Sequence, residues 1–279
     1  MRMKFAACFA AVAALFAGSA SAQDVWRTVD HANLLVIDTV HGRILVEMEP
    51  RMAPNHVERV RTLADQGFYD GVPFHRVIPG FMAQTGDPTG TGAGGSDLPD
   101  VKAEFAFRRG AEDGFVAVPN AGAGLVGLMG SMPVSSQPDA QMMFTVDKKT
   151  PAHGLFCPAT VGMARSGPID SANSQFYLMT GRNDRLNGAY TPLGRVLQGM
   201  DAVRAIKAGE DAQDGAVRGE PDRMTRVRTA EAMPAGDRPT VRVMDPSSPT
   251  YQASIETTRT ARGGSFNVCD LMPVVEVTP

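Results

Sequence analysis

Phe74-His75-Arg76-Val77-Ile78-Pro79-Gly80-Phe81-Met82-Ala83-Gln84-Thr85-Gly86-Asp87 decides how this chain is read. Two short apolar segments flank Pro79-Gly80, and a glycine-rich stretch from Gly86 to Gly95 follows, which is the rhythm of short strands and tight turns. Upstream, LLVIDT and RILVEM lie on either side of His41-Gly42 and predict a β-hairpin. Pro54 then occupies a favoured first helical position. Val57, Val60 and Ala64 recur at helical spacing and Gly67 follows as a stop, so a helix spans about 54–66.

Downstream, VKAEFAF, FCPATVGMAR, SQFYLMTG and TPLGRVL continue the strand pattern. Met200, Val203 and Ile206 mark a second helix ended by Gly209, and MTRVRTAEAM closes the pattern as a last strand. Many short strands with only two helices predict a mainly β fold: a closed, antiparallel, eight-stranded barrel with a helix plugging each end. Two segments fall outside that plan. Residues 108–154, rich in glycine, proline and methionine, read as a long inserted loop, and 234–279 as a C-terminal extension to a domain of 33–233.

The whole chain has 279 residues, 43% hydrophobic and 20% charged, which is an ordinary globular composition. A net charge of -3 lacks the basic bias that nucleic acid or an anionic membrane surface would demand. At the N-terminus Arg2 and Lys4 precede an apolar run from Phe5 to Ala17, and Ala20-Ser21-Ala22 supplies small residues for cleavage. Met1 to Ala22 therefore reads as a secretory signal peptide, the apolar run being shorter than the ~18 residues a spanning helix needs. A periplasmic or secreted monomer starting at Gln23, with no membrane insertion after cleavage, is the expectation. Cys8 would leave with the signal. Cys157 and Cys269 then form an even pair open to a disulfide in an oxidising compartment, although Cys157, in Leu155-Phe156-Cys157, also reads as a buried small hydrophobe.

The run 74–87 closely resembles the signature of the cyclophilins, the peptidyl-prolyl cis/trans isomerases. Met163-Ala164-Arg165-Ser166 through Ser174-Gln175-Phe176-Tyr177 is similar to the second cyclophilin block, in the form seen in bacterial exported members. Leu186-Asn187-Gly188-Ala189-Tyr190 with Leu193-Gly194-Arg195-Val196 is similar to the stretch that completes the pocket. The resemblance covers about 33–105 and 155–231 and implies catalysis of X-Pro isomerisation in exported, proline-containing polypeptides, with no cofactor or metal. It implies Arg76 as the catalytic residue. Phe81, Met82, Tyr177, Leu186 and Tyr190 would line the ring pocket, Gln84 and Gln175 would hold Arg76 and the substrate backbone, and Ala164 and Arg165 would supply main-chain contacts.

The chemistry explains the choice of arginine. Rotation about a peptide bond faces ~18–20 kcal/mol because the nitrogen shares its lone pair with the carbonyl. Twisting ends that sharing and makes the prolyl nitrogen basic, so a fixed cationic donor stabilises the twisted state more than the planar one. Guanidinium stays protonated and presents several donors in a rigid plane.

Two residues depart from the family pattern. Most cyclophilins carry Phe where Tyr177 stands, so a hydroxyl at the pocket floor needs a partner. Many eukaryotic members carry, in place of Arg185, a tryptophan that supports cyclosporin binding, which implies poor cyclosporin sensitivity here. A proline-peptide binding module without turnover is the rival reading. Gly90-Thr91-Gly92-Ala93-Gly94-Gly95 matches a dinucleotide-loop pattern, but Leu98-Pro99-Asp100 follows where a helix would be required. Met129, Met132, Met142 and Met143 either pack the insert onto the barrel or offer an adaptable surface.

Overall fold

The computed structural model describes residues 23–119 and 124–278; the expected signal peptide, 1–22, lies outside them. Leu34–Thr39 and Gly42–Met48 pair as the expected hairpin, from Leu34 opposite Glu47 to Thr39 opposite Gly42. They belong to an eight-stranded antiparallel sheet in the order 224–229, 34–39, 42–48, 192–198, 160–163, 176–179, 82–85, 76–78. The sheet curls around a core that includes Leu35, Ile37, Ile44, Val46, Val77, Ala83, Val161, Phe176, Leu178 and Val196.

The barrel differs from the expected closed one at its seam. Between the first and last strands only an isolated bridge, Pro73 to Arg223, is made, with hydrogen bonds such as Phe74 N–H to the Asp222 carbonyl (2.8 Å). Proline has no N–H to contribute, so the ladder cannot run continuously through Pro73.

Helix α1 (Pro54–Asp65) buries Val57, Val60, Leu63 and Ala64, and helix α2 (Met200–Ala205) buries Ala202 and Val203; both feed the barrel core. Ala53 cannot cap α1 with its side chain. The Glu104 carboxylate does so from a distance, accepting from Asn55 N–H (3.2 Å), His56 N–H (3.1 Å) and His56 Nδ1 (2.6 Å). VKAEFAF does not form its expected strand: Val101 makes one bridge to Ala172, the N–H groups of Ala103 and Glu104 donate to the Asp170 and Thr191 side chains (2.9 and 3.1 Å) rather than to a neighbouring strand, and regular pairing resumes only at Phe107–Arg109.

The stretch expected as an inserted loop holds a second, five-stranded sheet in the order 107–109, 150–154, 132–136, 125–129, 115–117. Met129, Met132, Val134 and Ala152 pack with Met52 of the barrel domain. Of the insert's methionines Met142 is also buried, whereas Met143 is exposed beside Phe144 and Val146. Packing of the insert onto the barrel therefore accounts for Met129 and Met132.

The tail is folded as well. Trp26–Thr28, Thr240–Met244 and Val275–Thr278 form a three-stranded sheet, and helix α3 (Pro249–Arg262) lies between the last two strands. Leu34, Val36 and Leu45, on the outer face of the hairpin, are buried with Val241 and Val243. A strand with both faces covered need not alternate, which accounts for the unbroken apolar runs LLVI and ILV. A further core joins insert and tail: Val118, Leu128 and Leu155 meet Tyr251, Ile255, Phe266 and Leu271. Within it Cys157 and Cys269 are disulfide-bonded across 112 residues. Among the described residues no helix is long and apolar enough to cross a membrane.

Candidate active site

Period-two alternation divides each barrel strand between core and site. Val77, Ala83, Phe176, Leu178 and Val161 point inward, so Arg76, Met82, Gln84, Tyr177 and Gly162 are left on the outer face. Register then aligns them: Arg76 lies opposite Gln84, Gln84 opposite Tyr177, and Tyr177 opposite Gly162. One row across four strands thus runs from a cation to an apolar floor.

Beside this row is a cavity of about 110 Å³ lined by Arg76, Phe81, Met82, Gln84, Ala164, Arg165, Tyr177, Leu186 and Tyr190. Its size suits one small ring. Nine of the ten residues expected at the site line it. The tenth, Gln175, lines an adjoining groove of about 590 Å³ that shares Gln84, Ala164 and Arg165 with the cavity.

Arg76 is fixed from two sides. Its Nη1 donates to Gln84 Oε1 (3.2 Å), while Nε donates to the Asp214 carbonyl (2.8 Å) and Nη2 to Asp214 Oδ1 (3.0 Å). Gln84 Nε2 in turn donates to Gln175 Oε1 (2.9 Å), and Gln175 Nε2 to the carbonyls of Gly92 (3.0 Å) and Gly94 (2.8 Å). The amide pair therefore ties the guanidinium to the glycine-rich loop. His75 is buried next to Gly92, and burial pushes its pKa below the ordinary histidine range. It is therefore a neutral packing neighbour of the loop at pH 7.

That loop is organised by Asp87. Its buried carboxylate accepts from the N–H groups of Thr89 (2.8 Å), Thr91 (3.1 Å), Gly92 (2.7 Å) and Gly94 (3.1 Å). A side chain on Gly94 would begin 2.1 Å from the Asp87 oxygen, so glycine is required there. The glycines of the rejected nucleotide pattern thus wrap an internal carboxylate. Burial pushes the Asp87 pKa up, but the Thr89 hydroxyl and the loop amides outweigh it and hold the pKa at about 2, against an ordinary 3.8. A depressed carboxylate pKa stabilises the fold fully above the unfolded value and loses that contribution as pH falls through the folded one. Asp87→Asn is accordingly expected to cost on the order of 1 kcal/mol at pH 7, a gap that closes between about pH 4 and pH 2. Chemical denaturation of both proteins across that range measures it; a gap constant with pH would contradict the assignment.

The apolar half rests on residues distant in sequence. The Asn183–Tyr190 turn carries Leu186 and Tyr190, held by Tyr190 N–H to the Leu186 carbonyl (3.1 Å). Asn187 Oδ1 accepts from Phe156 N–H (2.8 Å), fixing Phe156 under Tyr177, ring centroids 6.0 Å apart. Arg165 lies over the Tyr190 ring (4.6 Å), donating to the Ala189 carbonyl, and Ala164 N–H donates to the Gln175 carbonyl (2.9 Å). Sequence reasoning missed Phe156, Gly162, Asn187 and Asp214. Gly162 matters because an added methyl would begin 2.5 Å from the Phe156 ring and 2.7 Å from Tyr177 Oη. Phe156 had a signal in Leu155-Phe156-Cys157, an apolar run just before a strand; Asp214, in a polar stretch, had none.

The Tyr177 hydroxyl, expected to need a partner, finds no protein group among the described residues, and burial raises its pKa well above the ordinary tyrosine value. A buried, unpaired hydroxyl destabilises by about 1 kcal/mol or more, so Tyr177→Phe is expected to raise Tm by about 2–4 °C. A scanning-calorimetry Tm that falls instead would show that the hydroxyl is satisfied in solution.

A β-barrel bearing a fixed arginine at the edge of a ring-sized apolar cavity defines the class of site: one equipped to hold a small apolar ring beside an oriented cation. Comparison with known proteins agrees. The family model for cyclophilin type peptidyl-prolyl cis-trans isomerase/CLD matches residues 34–229. A probable peptidyl-prolyl cis-trans isomerase of Brucella suis is 36% identical over 241 residues, covering 82% of this chain and 98% of the relative. A peptidyl-prolyl cis-trans isomerase-like 1 of Aspergillus fumigatus is 32% identical over 172 residues, 62% of this chain and 80% of the relative. The crystal structure of a cyclophilin from Hirschia baltica superposes with a TM-score of 0.80 at 30% identity, covering 90% of this chain and 93% of that one. The chain belongs to the cyclophilin-type peptidyl-prolyl cis-trans isomerase family.

Proposed function

We propose that this chain accelerates X-Pro isomerisation in newly exported polypeptides and so assists their folding, with Arg76 as the catalytic residue. The supporting observation is the guanidinium held by Gln84 and Asp214 at the rim of the 110 Å³ cavity. With the proline ring in the cavity, the acyl side stays outside and free to turn. Arg76, already oriented, donates to the prolyl nitrogen as its lone pair is released. Only the twisted state gains from that contact, which is the condition for raising kcat. Reducing tens of seconds to milliseconds takes ~10⁴-fold, or ~5–6 kcal/mol, within the capacity of a preorganised ion and a bound geometry. Ala164 and Arg165 flank the substrate chain, and Gln84 and Gln175 keep Arg76 and the groove in register.

Export is supported by the N-terminal sequence and by the Cys157–Cys269 disulfide, a bond that persists in oxidising compartments. The mature chain would act there as a monomer on flexible proline-containing polypeptides.

Exchange spectroscopy on a short Ala-Xaa-Pro-Phe peptide tests the activity: added protein is expected to speed cis/trans exchange at catalytic concentrations. Peptide binding without faster exchange would favour the binding-module reading. Mass spectrometry of the protein recovered from its native cell is expected to begin at Gln23; an intact Met1 would overturn export.

A further inference from the structure

We infer that Asp214 is a positioning residue for Arg76, a step that rests on the isomerase reading above. Asp214 holds the guanidinium with two groups at once, its carbonyl on Nε (2.8 Å) and its carboxylate on Nη2 (3.0 Å). Its backbone is left-handed, φ 53°, a conformation that Asp and Asn tolerate better than most residues and that glycine adopts freely. The turn by itself therefore does not call for a carboxylate. Nor does any other contact: the side chain is 81% exposed, and Arg76 is the one ion-pair partner it has among the described residues.

The segment around it is anchored to the strand that carries Arg76. Val77 N–H donates to the Gly215 carbonyl (2.8 Å), and Gly209 N–H to the Val77 carbonyl (2.9 Å). A two-point clamp thus sits on a base fixed to the same strand as its target. Gln84 takes the third N–H, and the remaining two are free for substrate. An anion so close weakens the field of the cation, so what the clamp contributes is direction: it restrains a long side chain that otherwise samples many rotamers. Arg76 acts on the twisted state, so losing that restraint lowers kcat and leaves KM nearly alone.

Asp214→Gly keeps the carbonyl and suits the left-handed backbone, so its Tm is expected to match or exceed that of the parent. Its kcat is expected to fall about tenfold with KM changed less than about twofold. Asp214→Asn keeps an acceptor without the charge and is expected to recover most of the loss. In an Arg76→Ala background, Asp214→Gly is expected to leave the residual rate unchanged. Parental kcat in Asp214→Gly, or an equal loss in the Arg76→Ala background, would overturn the inference, the second because it signals a merely structural role. NMR of the guanidinium separates this inference from the isomerase reading: the resolved Arg76 Nη signals are expected to merge and to exchange faster with water in Asp214→Gly. Unchanged signals would refute the clamp whatever the activity, whereas changed signals on a chain that never catalyses would refute the isomerase reading alone.

Discussion

Arg76→Ala is expected to lower kcat/KM for X-Pro isomerisation by about a hundredfold or more while Tm moves by only a few degrees. The rate effect is large because the guanidinium is the one cation at the cavity rim held rigidly by both a side-chain amide and an acidic residue. The stability effect is small because Arg76 pairs with an exposed carboxylate, and such pairs contribute little to folding. Arg76→Lys is expected to restore little. A lysine ammonium is a mobile point charge that cannot satisfy Gln84, the Asp214 carbonyl and the Asp214 carboxylate in one plane. A loss below about threefold in Arg76→Ala, measured on the same peptide, would move the catalytic electrostatics away from this residue.

Removing residues 234–279 is expected to leave no stable, soluble domain. The truncation uncovers Leu34, Val36 and Leu45, which at 0%, 2% and 1% exposure lie under the tail sheet. At 1.5–3 kcal/mol for each aliphatic side chain, the loss is roughly 5–9 kcal/mol, comparable to the ~5–15 kcal/mol that holds a typical domain together. It also strands a buried cation. Arg195 is fully buried and donates to the Ser131 carbonyl of the insert (2.7 Å) and the Leu271 carbonyl of the tail (2.6 Å). Burial already lowers its pKa to about 10, and loss of Leu271 would leave part of the guanidinium unpaired. The disulfide is a milder probe of the same attachment: Cys269→Ser is expected to cost about 2–4 kcal/mol by releasing a long loop in the unfolded chain. Soluble yield and a cooperative melt of the truncated chain decide the matter; a Tm within a few degrees of the parent would make the tail dispensable.

The two predictions touch opposite halves of what could be read from the chain. The hairpin 34–48, helix α1 and the strands around 76–85, 160–163 and 176–179 were legible because β-rich runs broken by turn residues such as His41-Gly42 and Pro79-Gly80, and the helix limits Pro54 and Gly67, are local signals. The insert's sheet was hidden by glycine, proline and methionine, and the tail's by a composition typical of linkers. The one clue to the tail was indirect: LLVI and ILV fail to alternate, which requires a cover on the outer face that the barrel itself does not supply.

By itself the sequence determined the strand and helix order of the barrel, which follows from periodicity and turn residues, and the resemblance of three separate blocks, 74–87, 163–177 and 186–196, to the cyclophilins pointed to the arginine and to nearly every wall of the cavity. Only the tertiary structure decided that Cys157 bonds Cys269, that Asp214 clamps Arg76 across 138 positions of chain, and that Asn187 holds Phe156 beneath Tyr177. Local propensity acts over a few residues, whereas these contacts exist only once the barrel has brought remote loops together, so no spacing or composition could carry them.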